Sequence, residues 1–449
     1  MQHSHEGLDR PGGFSRVNLL SPLRHRDFRL LWTGMTVSLL GDGIFLIAMA
    51  WQAYELWNAP AALSLLGIAM TIPTLAFLLP AGVLSDRVDR RRLMLCADVG
   101  RAVVVGVLAV LSITGLLTFW ELAVIVALYG IGTAFFTPAF DAIVPDIVPT
   151  VDLPAANSLD QFVRPIALRL AGPALGGVLV AGIGTGAAFA VDAASFVVST
   201  VFVFLMRPAA HPRSEHAESS VQAVKEGLRF VRSRVWLWGT LLSATFAYLA
   251  FMGPAEVLLP YVVKNDLGAS ADALGLIFAA GGIGAIGAAL IVGQRGHPKR
   301  DVTVMYGAWT IATLAVAGYG LATASWQLAV ACLLFNALET VGTIVWATIK
   351  QYHVPASMLG RVSSLDWLIS IGLLPLSFAL TAPVASLVGA RATLIGAAAI
   401  GVVFTLGAYF LPGMRDIEGM ARDVDEGGRP LPGAEPELLS PPVAVDVRR

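Results

Sequence analysis

Charge and cysteine are what this chain has least of. Only 14% of its 449 residues are Asp, Glu, Lys or Arg, against about 25% in an ordinary soluble domain. Leu56–Ser85 runs 30 residues without a charge, and Val302–Leu338 runs 37. A bilayer span needs roughly 20 apolar residues, so a soluble enzyme with one compact core is excluded. The runs lack the apolar–polar alternation, in segments of about 10 residues, that an outer-membrane barrel requires. Two cysteines, Cys96 and Cys332, fall inside apolar stretches, which leaves no disulfide framework and reads both as small buried hydrophobes. The seven histidines fall in or beside polar segments with no metal-ligand spacing. No phosphate-binding glycine loop with a following Lys-Ser/Thr is present, so nothing supports ATP-driven transport. A net charge of −1 gives no pull towards nucleic acid. The first 29 residues are polar and arginine-rich, without the apolar core and cleavage site of a signal peptide. No enzyme activity, metal or cofactor is expected.

What is abundant is apolar: 56% of the chain is hydrophobic. Divided at turn signals and charges, the runs give spans near 30–52, 62–85, 93–114, 119–140, 157–182 and 186–206, then 236–261, 272–294, 302–323, 326–349, 361–388 and 390–412. The 37-residue run must contain a corner, because that many helical residues would extend about 55 Å through a hydrocarbon layer of about 30 Å. Thr323–Trp326 is the expected turn. The fold class is therefore an all-α membrane protein of twelve transmembrane helices, arranged as six plus six. If the N-terminus is cytoplasmic, 25 of the Lys and Arg residues fall on the cytoplasmic side and two, Lys264 and Arg391, on the other. That asymmetry predicts both termini in the cytoplasm and a multi-pass inner-membrane location. The expected organisation is a cytoplasmic segment (1–29), a first six-helix bundle (30–206), a linker (207–235), a second bundle (236–412) and a disordered tail (413–449). Within the linker, Val221, Val224, Leu228, Val231 and Val235 recur at helical spacing among Lys225, Arg229, Arg232 and Arg234. That pattern predicts a basic amphipathic helix on the inner membrane face.

The connection after the second span reads Gly82-Val-Leu-Ser-Asp86-Arg87-Val-Asp89-Arg90-Arg91-Arg92. Glycine permits a tight helix end, Asp86 suits a helix N-terminus, and the arginines anchor the loop at the membrane surface. In this place the pattern resembles the signature loop of the major facilitator superfamily. Gly172-Pro173-Ala-Leu-Gly176-Gly177 resembles the antiporter motif that the superfamily's exporters carry in the fifth helix; an earlier glycine of that pattern is Leu168 here. The superfamily's fourth-helix arginine, aligned on Gly130, is replaced by Val126, so its role does not transfer. Phe28–Trp32 with Gly41-Asp42, and Gly360–Asp366, look like the branch containing macrolide-efflux and enterobactin-export transporters. The resemblance covers about residues 22–412. It implies alternating access, with Gly82, Asp86, Arg87, Arg90 and Arg91 as a gating loop. It also implies export of a small amphipathic compound against a proton gradient, by a monomer in a lipid bilayer. A proton-coupled importer, and a non-transporting receptor or scaffold on the same fold, are the alternatives.

Ionisable groups deep in a membrane are costly and tend to be functional, at about 2.5–3.5 kcal/mol each on insertion scales. Asp42 falls at mid-span 1, Glu339 at mid-span 10 and Glu256 in the outer third of span 7. In this superfamily helices 1, 4, 7 and 10 line the central cavity, so these three are the candidate proton carriers. Asp42 and Glu339 are expected to face each other across it. Structural ion pairing is the competing role for each. Asp98 with Arg101, and Asp160 with Arg164, are spaced to pair locally. Arg169 has no local partner; it either meets a cavity carboxylate or an anionic substrate, or snorkels to the surface. Asp192 and Asp366 lie off the expected cavity walls.

Overall fold

The computed structural model describes residues 20–149, 152–207, 220–295, 298 and 300–418, and these contain no strand. The first half consists of α1 (Arg26–Leu56), α2 (Pro60–Arg87), α3 (Arg90–Thr114), α4 (Phe119–Ile147), α5 (Leu153–Pro165), α6 (Gly172–Ile183) and α7 (Thr185–Leu205). A π-helical segment, Ile166–Ala171, joins α5 to α6. A linker helix, α8 (Ser220–Arg232), leads to α9 (Val235–Tyr261), which ends in a π-helical turn, Val262–Asp266. The second half continues with α10 (Ala271–Arg295), α11 (Asp301–Leu321), α12 (Ser325–His353), α13 (Ala356–Ile371), α14 (Leu374–Val388) and α15 (Ala390–Tyr409). Twelve segments are long and apolar enough to cross a membrane, with α5, the π segment and α6 supplying one and α13 with α14 another. Every expected span is present, and the corner in the 37-residue run falls between α11 and α12.

Local chemistry sets the ends. Asp89 caps α3 by accepting from the Arg92 amide at 3.0 Å. The Glu121 side chain accepts from the Thr118 amide at 2.8 Å, closing a capping box on α4. Single glycines turn α6 into α7 and α14 into α15: Gly184 has φ 91° and Gly389 φ 89°, with ψ 168° and 156°. Only glycine adopts that region without strain, and its recurrence at equivalent places marks the two halves as repeats.

α3 shows how these helices divide their faces. Asp98, Arg101, Val105 and Leu108 are buried, whereas Val99, Val103, Val107 and Val110 are exposed at 48–60%. An exposed apolar stripe opposite a buried polar one fits a helix with lipid outside and protein inside. Hydrocarbon gives no hydrophobic drive between helices, so close packing and polar bonds must hold them. In the first bundle α1 packs on α7 and α6, α3 on α7, and α2 on α4; in the second, α10 packs on α12, α11 on α15 and α12, and α9 on α15.

The bundles meet through α6 against α10 and α2 against α14. At the end remote from the termini, Tyr54 Oη donates to the Val257 carbonyl at 2.5 Å and Asn58 bonds Asn265 at 2.6 Å. The linker helix α8 is held to α13, where Glu226 pairs with Arg361 at 2.6 Å and Gly227 lies against Leu365. The segment expected to be loose from 413 is anchored as far as Glu418. Met414 and Ile417 are buried in the second bundle, and Glu418 accepts from the Thr303 amide at 3.0 Å. Apolar side chains at those two positions explain the difference. The remainder of the expected tail, from 419, lies outside the described residues.

Candidate functional site

Asp42 is half-buried on α1 and accepts a 2.5 Å hydrogen bond on Oδ1 from Tyr129 of α4, whose ring stacks on Phe45 with centroids 4.5 Å apart. The glycines on either side of Asp42 explain how so much polar chemistry reaches one place. A Cβ at Gly41 would run into the side chains of Ser195 and Asp192 of α7, and one at Gly43 would sit 2.8 Å from the Ala167 carbonyl oxygen. α1 is thus approached by α7 on one side and by the π segment on the other. Behind Tyr129, Arg101 of α3 donates to Asp98 Oδ1 at 2.5 Å, while Ser199 of α7 donates to Asp98 Oδ2 at 2.7 Å. The guanidinium is clamped between two rings, 4.3 Å from the Phe196 centroid and 4.7 Å from Phe136. It fits because Gly132 has no side chain; a Cβ there would stand 2.6 Å from Arg101 Cγ.

The expected Asp98–Arg101 and Asp160–Arg164 pairs form, the latter at 2.7 Å. What the sequence did not disclose is that Asp192 and Arg101 converge on Asp42. Val126 is a fully buried apolar residue on α4, and the buried cation of this bundle comes from α3 instead.

In the second bundle Glu339 of α12 accepts from Thr343 at 3.0 Å and, more loosely, from Tyr248 of α9 at 3.4 Å. Tyr248, Phe251, Trp309, Phe335 and Glu339 line a recess between α9, α11 and α12. Two turns further along α12, Trp346 Nε1 donates to Asp366 of α13 at 2.9 Å, and Lys350 pairs with the same carboxylate. Asp42 and Glu339 are therefore each engaged by a tyrosine of their own bundle. Arg169, on the exposed side of the π segment, reaches the opposite bundle and donates to Asn336 Oδ1 at 3.3 Å. Glu256 of α9 is exposed and lies within electrostatic range of Arg169.

The motif residues divide similarly. The surroundings of Gly82 and the side chains of Asp86 and Arg87 lie outside what the structure describes. Arg90 ties the start of α3 to the end of α4 through Asp146 at 2.6 Å and the Ala142 carbonyl at 2.9 Å. Arg91 does the same for the end of α7, through the carbonyls of Val203 and Phe204. The glycines of the fifth span serve two neighbours. Cβ atoms at Gly172 and Gly176 would press on α1, at 2.7 Å from Gly43 Cα and 3.0 Å from Ile44 Cα; one at Gly177 would press on α10, 3.0 Å from Gly275 Cα. Pro173 offers no amide hydrogen, and just before it the Gly172 amide steps back five residues to the Ala167 carbonyl, closing the π segment that carries Arg169.

Comparison with known proteins places this architecture. The chain is 24% identical to macrolide efflux protein A of Streptococcus pyogenes over 81% of this chain and 90% of that protein. It is 28% identical to the enterobactin exporter EntS of Citrobacter koseri over 78% and 83%. It also matches YfiS of Bacillus subtilis, an uncharacterised MFS-type transporter, at 27% identity over 59% of this chain, spanning 63% of that protein's length. In three dimensions it superposes on a bacterial homologue of the iron transporter ferroportin in an inward-facing state. There the TM-score is 0.66 at 14% identity, over 86% of this chain and 99% of the other, a likeness of fold alone. Residues 17–425 match the family described as transmembrane secretion effector, MFS_3. With the glycine-faced fifth span and the repeated halves in place, this chain belongs to that family of major facilitator transporters.

Proposed function

We propose that the protein exports a small amphipathic compound, of drug-, macrolide- or siderophore-like chemistry, in exchange for protons. It does so by alternating access, as a monomer in the inner membrane with both termini in the cytoplasm. The observation that carries this reading is the acid–tyrosine couple within each bundle, Asp42 with Tyr129 and Glu339 with Tyr248. An embedded carboxyl that can be neutralised is the simplest coupling device for a proton-driven carrier. The contacts joining the bundles near the end remote from the termini support a cavity reached from the terminal face, where a cytoplasmic substrate would enter. Two relatives, a macrolide efflux protein and an enterobactin exporter, support the direction. Aromatic lining around Glu339 suits an apolar ligand with adaptable packing. Gly82–Arg92 is the proposed gating loop; Asp86→Asn should slow turnover and leave substrate affinity nearly intact.

Reconstitution in proteoliposomes with an imposed pH gradient and a panel of amphipathic compounds tests the reading. Some compound should move against protons, and Asp42→Asn or Glu339→Gln should abolish gradient-driven movement while sparing downhill exchange. Normal coupling in both variants would pass the carrier role to Glu256. In a Cys96→Ser background, a cysteine at Asn58 should label from outside intact cells and one at Ser233 should not; the reverse pattern overturns the orientation.

A further inference from the structure

Three carboxyls and one guanidinium share the interior of the first bundle, and their charges do not balance. Asp98 is fully satisfied: Arg101 and Ser199 hold its two oxygens at 2.5 and 2.7 Å, and none of its surface is exposed. That bond commits Arg101. Among the described residues, Asp42 receives a single O–H, from Tyr129. Asp192 is 0% exposed, and its Oδ2 has no hydrogen-bond partner among the described residues. Its Oδ1 stands 3.4 Å from Ser195 Oγ, a hydroxyl that donates instead to the Asp192 carbonyl at 2.7 Å. The Asp192 carboxyl rests against the α1 backbone at Gly41, the residue before Asp42, and the two carboxyls act electrostatically on one another.

The surrounding elements offer little to neutralise them. α3 supplies Arg101, which acts on both carboxyls while bonded to Asp98; α4 supplies Tyr129; Arg164 of α5 acts on Asp42 while bonded to Asp160; and Arg169 of the π segment is turned to Asn336 of the other bundle. α6, and α2 as far as Ser85, contain no Asp, Glu, Lys or Arg. An ionised carboxylate buried without a cation is so unfavourable that such a group neutralises instead, and two carboxylates sharing a site cannot both ionise freely.

We infer that Asp42 and Asp192 form one proton-binding pair across α1 and α7, with Asp192 as the sealed member and half-exposed Asp42 as the member through which the proton enters and leaves. The O–H bond forms on a carboxylate oxygen of the pair as a proton arrives from water, and it breaks to water on release; nothing is oxidised or reduced. Tyr129 positions Asp42 within the pair. Gly41 is essential because any side chain there would separate α7 from α1. The inference rests on the proton-antiport reading and deepens it: the first-bundle carrier is two residues, one of them on a helix that no motif singles out.

Proton binding is separable from transport, and that separates the two ideas. The detergent-solubilised full chain, without any compound, is titrated by infrared difference spectroscopy of the protonated-carboxyl band, with proton uptake measured alongside. In a Glu256→Gln, Glu339→Gln background, which removes the other candidate carriers, the chain should show one proton on this band. Asp42→Asn and Asp192→Asn should each cut its amplitude at least about tenfold, and the double variant no further. A full band in Asp192→Asn overturns the pair, even if Asp42→Asn still abolishes coupling. If Asp192→Asn does not fold, Asp192→Glu decides: its titration midpoint should move by about one unit, a tenfold change in proton affinity, and an unmoved midpoint overturns the pair. A band lost in both single variants, in a protein that shows no gradient-driven flux, would leave the pair standing and the antiport reading overturned.

Discussion

The two bundles hold the same couple in opposite hands. In the first, the acid is on the opening helix α1 and the tyrosine on α4; in the second, the tyrosine is on the opening helix α9 and the acid on α12. Since α1 corresponds to α9 and α4 to α12 in a parallel repeat, acid and phenol have changed places while still meeting. The surroundings differ more. Asp42 bonds at 2.5 Å within a cluster of buried charges, whereas Glu339 bonds at 3.0 and 3.4 Å beside an aromatic recess. A tight polar site suits a small hard particle such as a proton. A looser site with ring walls suits a larger apolar guest. The two halves thus surround their acids with different side chains while keeping one order of helices.

Several substitutions would break or sharpen that contrast. The largest effect is expected at the buried ion pairs. Asp98→Ala leaves Arg101 without its partner at a site where the two side chains are 0% and 4% exposed, and should cost about 3–5 kcal/mol. Asp366→Ala, where the Lys350 pair is 13% and 12% exposed, should cost clearly less. Thermal unfolding in detergent measures both, and equal losses would mean that the first bundle is no more tightly sealed than the second. Next come the tyrosines. Tyr129→Phe removes a short bond to a carboxyl and should cost about 1.5–3 kcal/mol if that group is charged, while Tyr248→Phe removes a long one and should cost under about 1 kcal/mol. A larger loss at Tyr248 would reverse the assignment of roles. Gly184→Ala and Gly389→Ala force a side chain into a backbone region reserved for glycine, and each should cost about 1–3 kcal/mol. Here the halves should agree; a one-sided loss would show that the repeats turn by different means.

The smallest effect lies outside the membrane. Ser21 donates to Asp152 at 2.6 Å and His25 lies 2.9 Å from it, so the carboxyl is held below its ordinary value of 3.8, first by the hydroxyl and then by the imidazole. A lowered carboxyl contributes stability that is complete above 3.8 and disappears as the pH falls through the folded value. Ser21→Ala should therefore lower the melting temperature slightly at about pH 6, and the difference should shrink as the pH falls below 3.8. A gap that persists in acid would assign the contact to packing alone. The second bundle has no described counterpart to this clasp.

The spans, their number and the acids on α1 and α12 were legible in the sequence because scarcity of charge is a strong one-dimensional signal. Asp98–Arg101 was legible because both sit on one helix. The partnership of Asp42 with Asp192 was not, since it depends on α7 crossing α1 at Gly41, and spacing along the chain does not encode which helices cross. Tyr129 and Tyr248 are two aromatics among many on apolar spans; the exchange of acid and phenol between equivalent helices was the signal that could have paired them with the acids. The break at Gly372 and Leu373 between α13 and α14 had no counterpart in an apolar run that reads as one helix. Gly177 shows the same limit: the motif announced a close approach but not that its neighbour would be α10, in the other bundle.

The one-glycine turns at Gly184 and Gly389 belong to a face with very little chain on it. Its other connections are 57–59, 115–118, 267–270 and 322–324. A protease or antibody arriving from that side would find almost no backbone to grip, whereas the linker helix α8 and the ends of the described chain, Leu20 and Glu418, belong to the opposite face. Limited digestion of sealed vesicles should therefore be strongly one-sided; if the terminal face is cytoplasmic, it should cut inverted vesicles and spare right-side-out ones. An affinity tag or fluorescent insertion would be tolerated only on the terminal face. If that face is cytoplasmic, the cell shows its surroundings a transporter that is nearly all lipid-embedded, with little for an external ligand, enzyme or immune receptor to recognise.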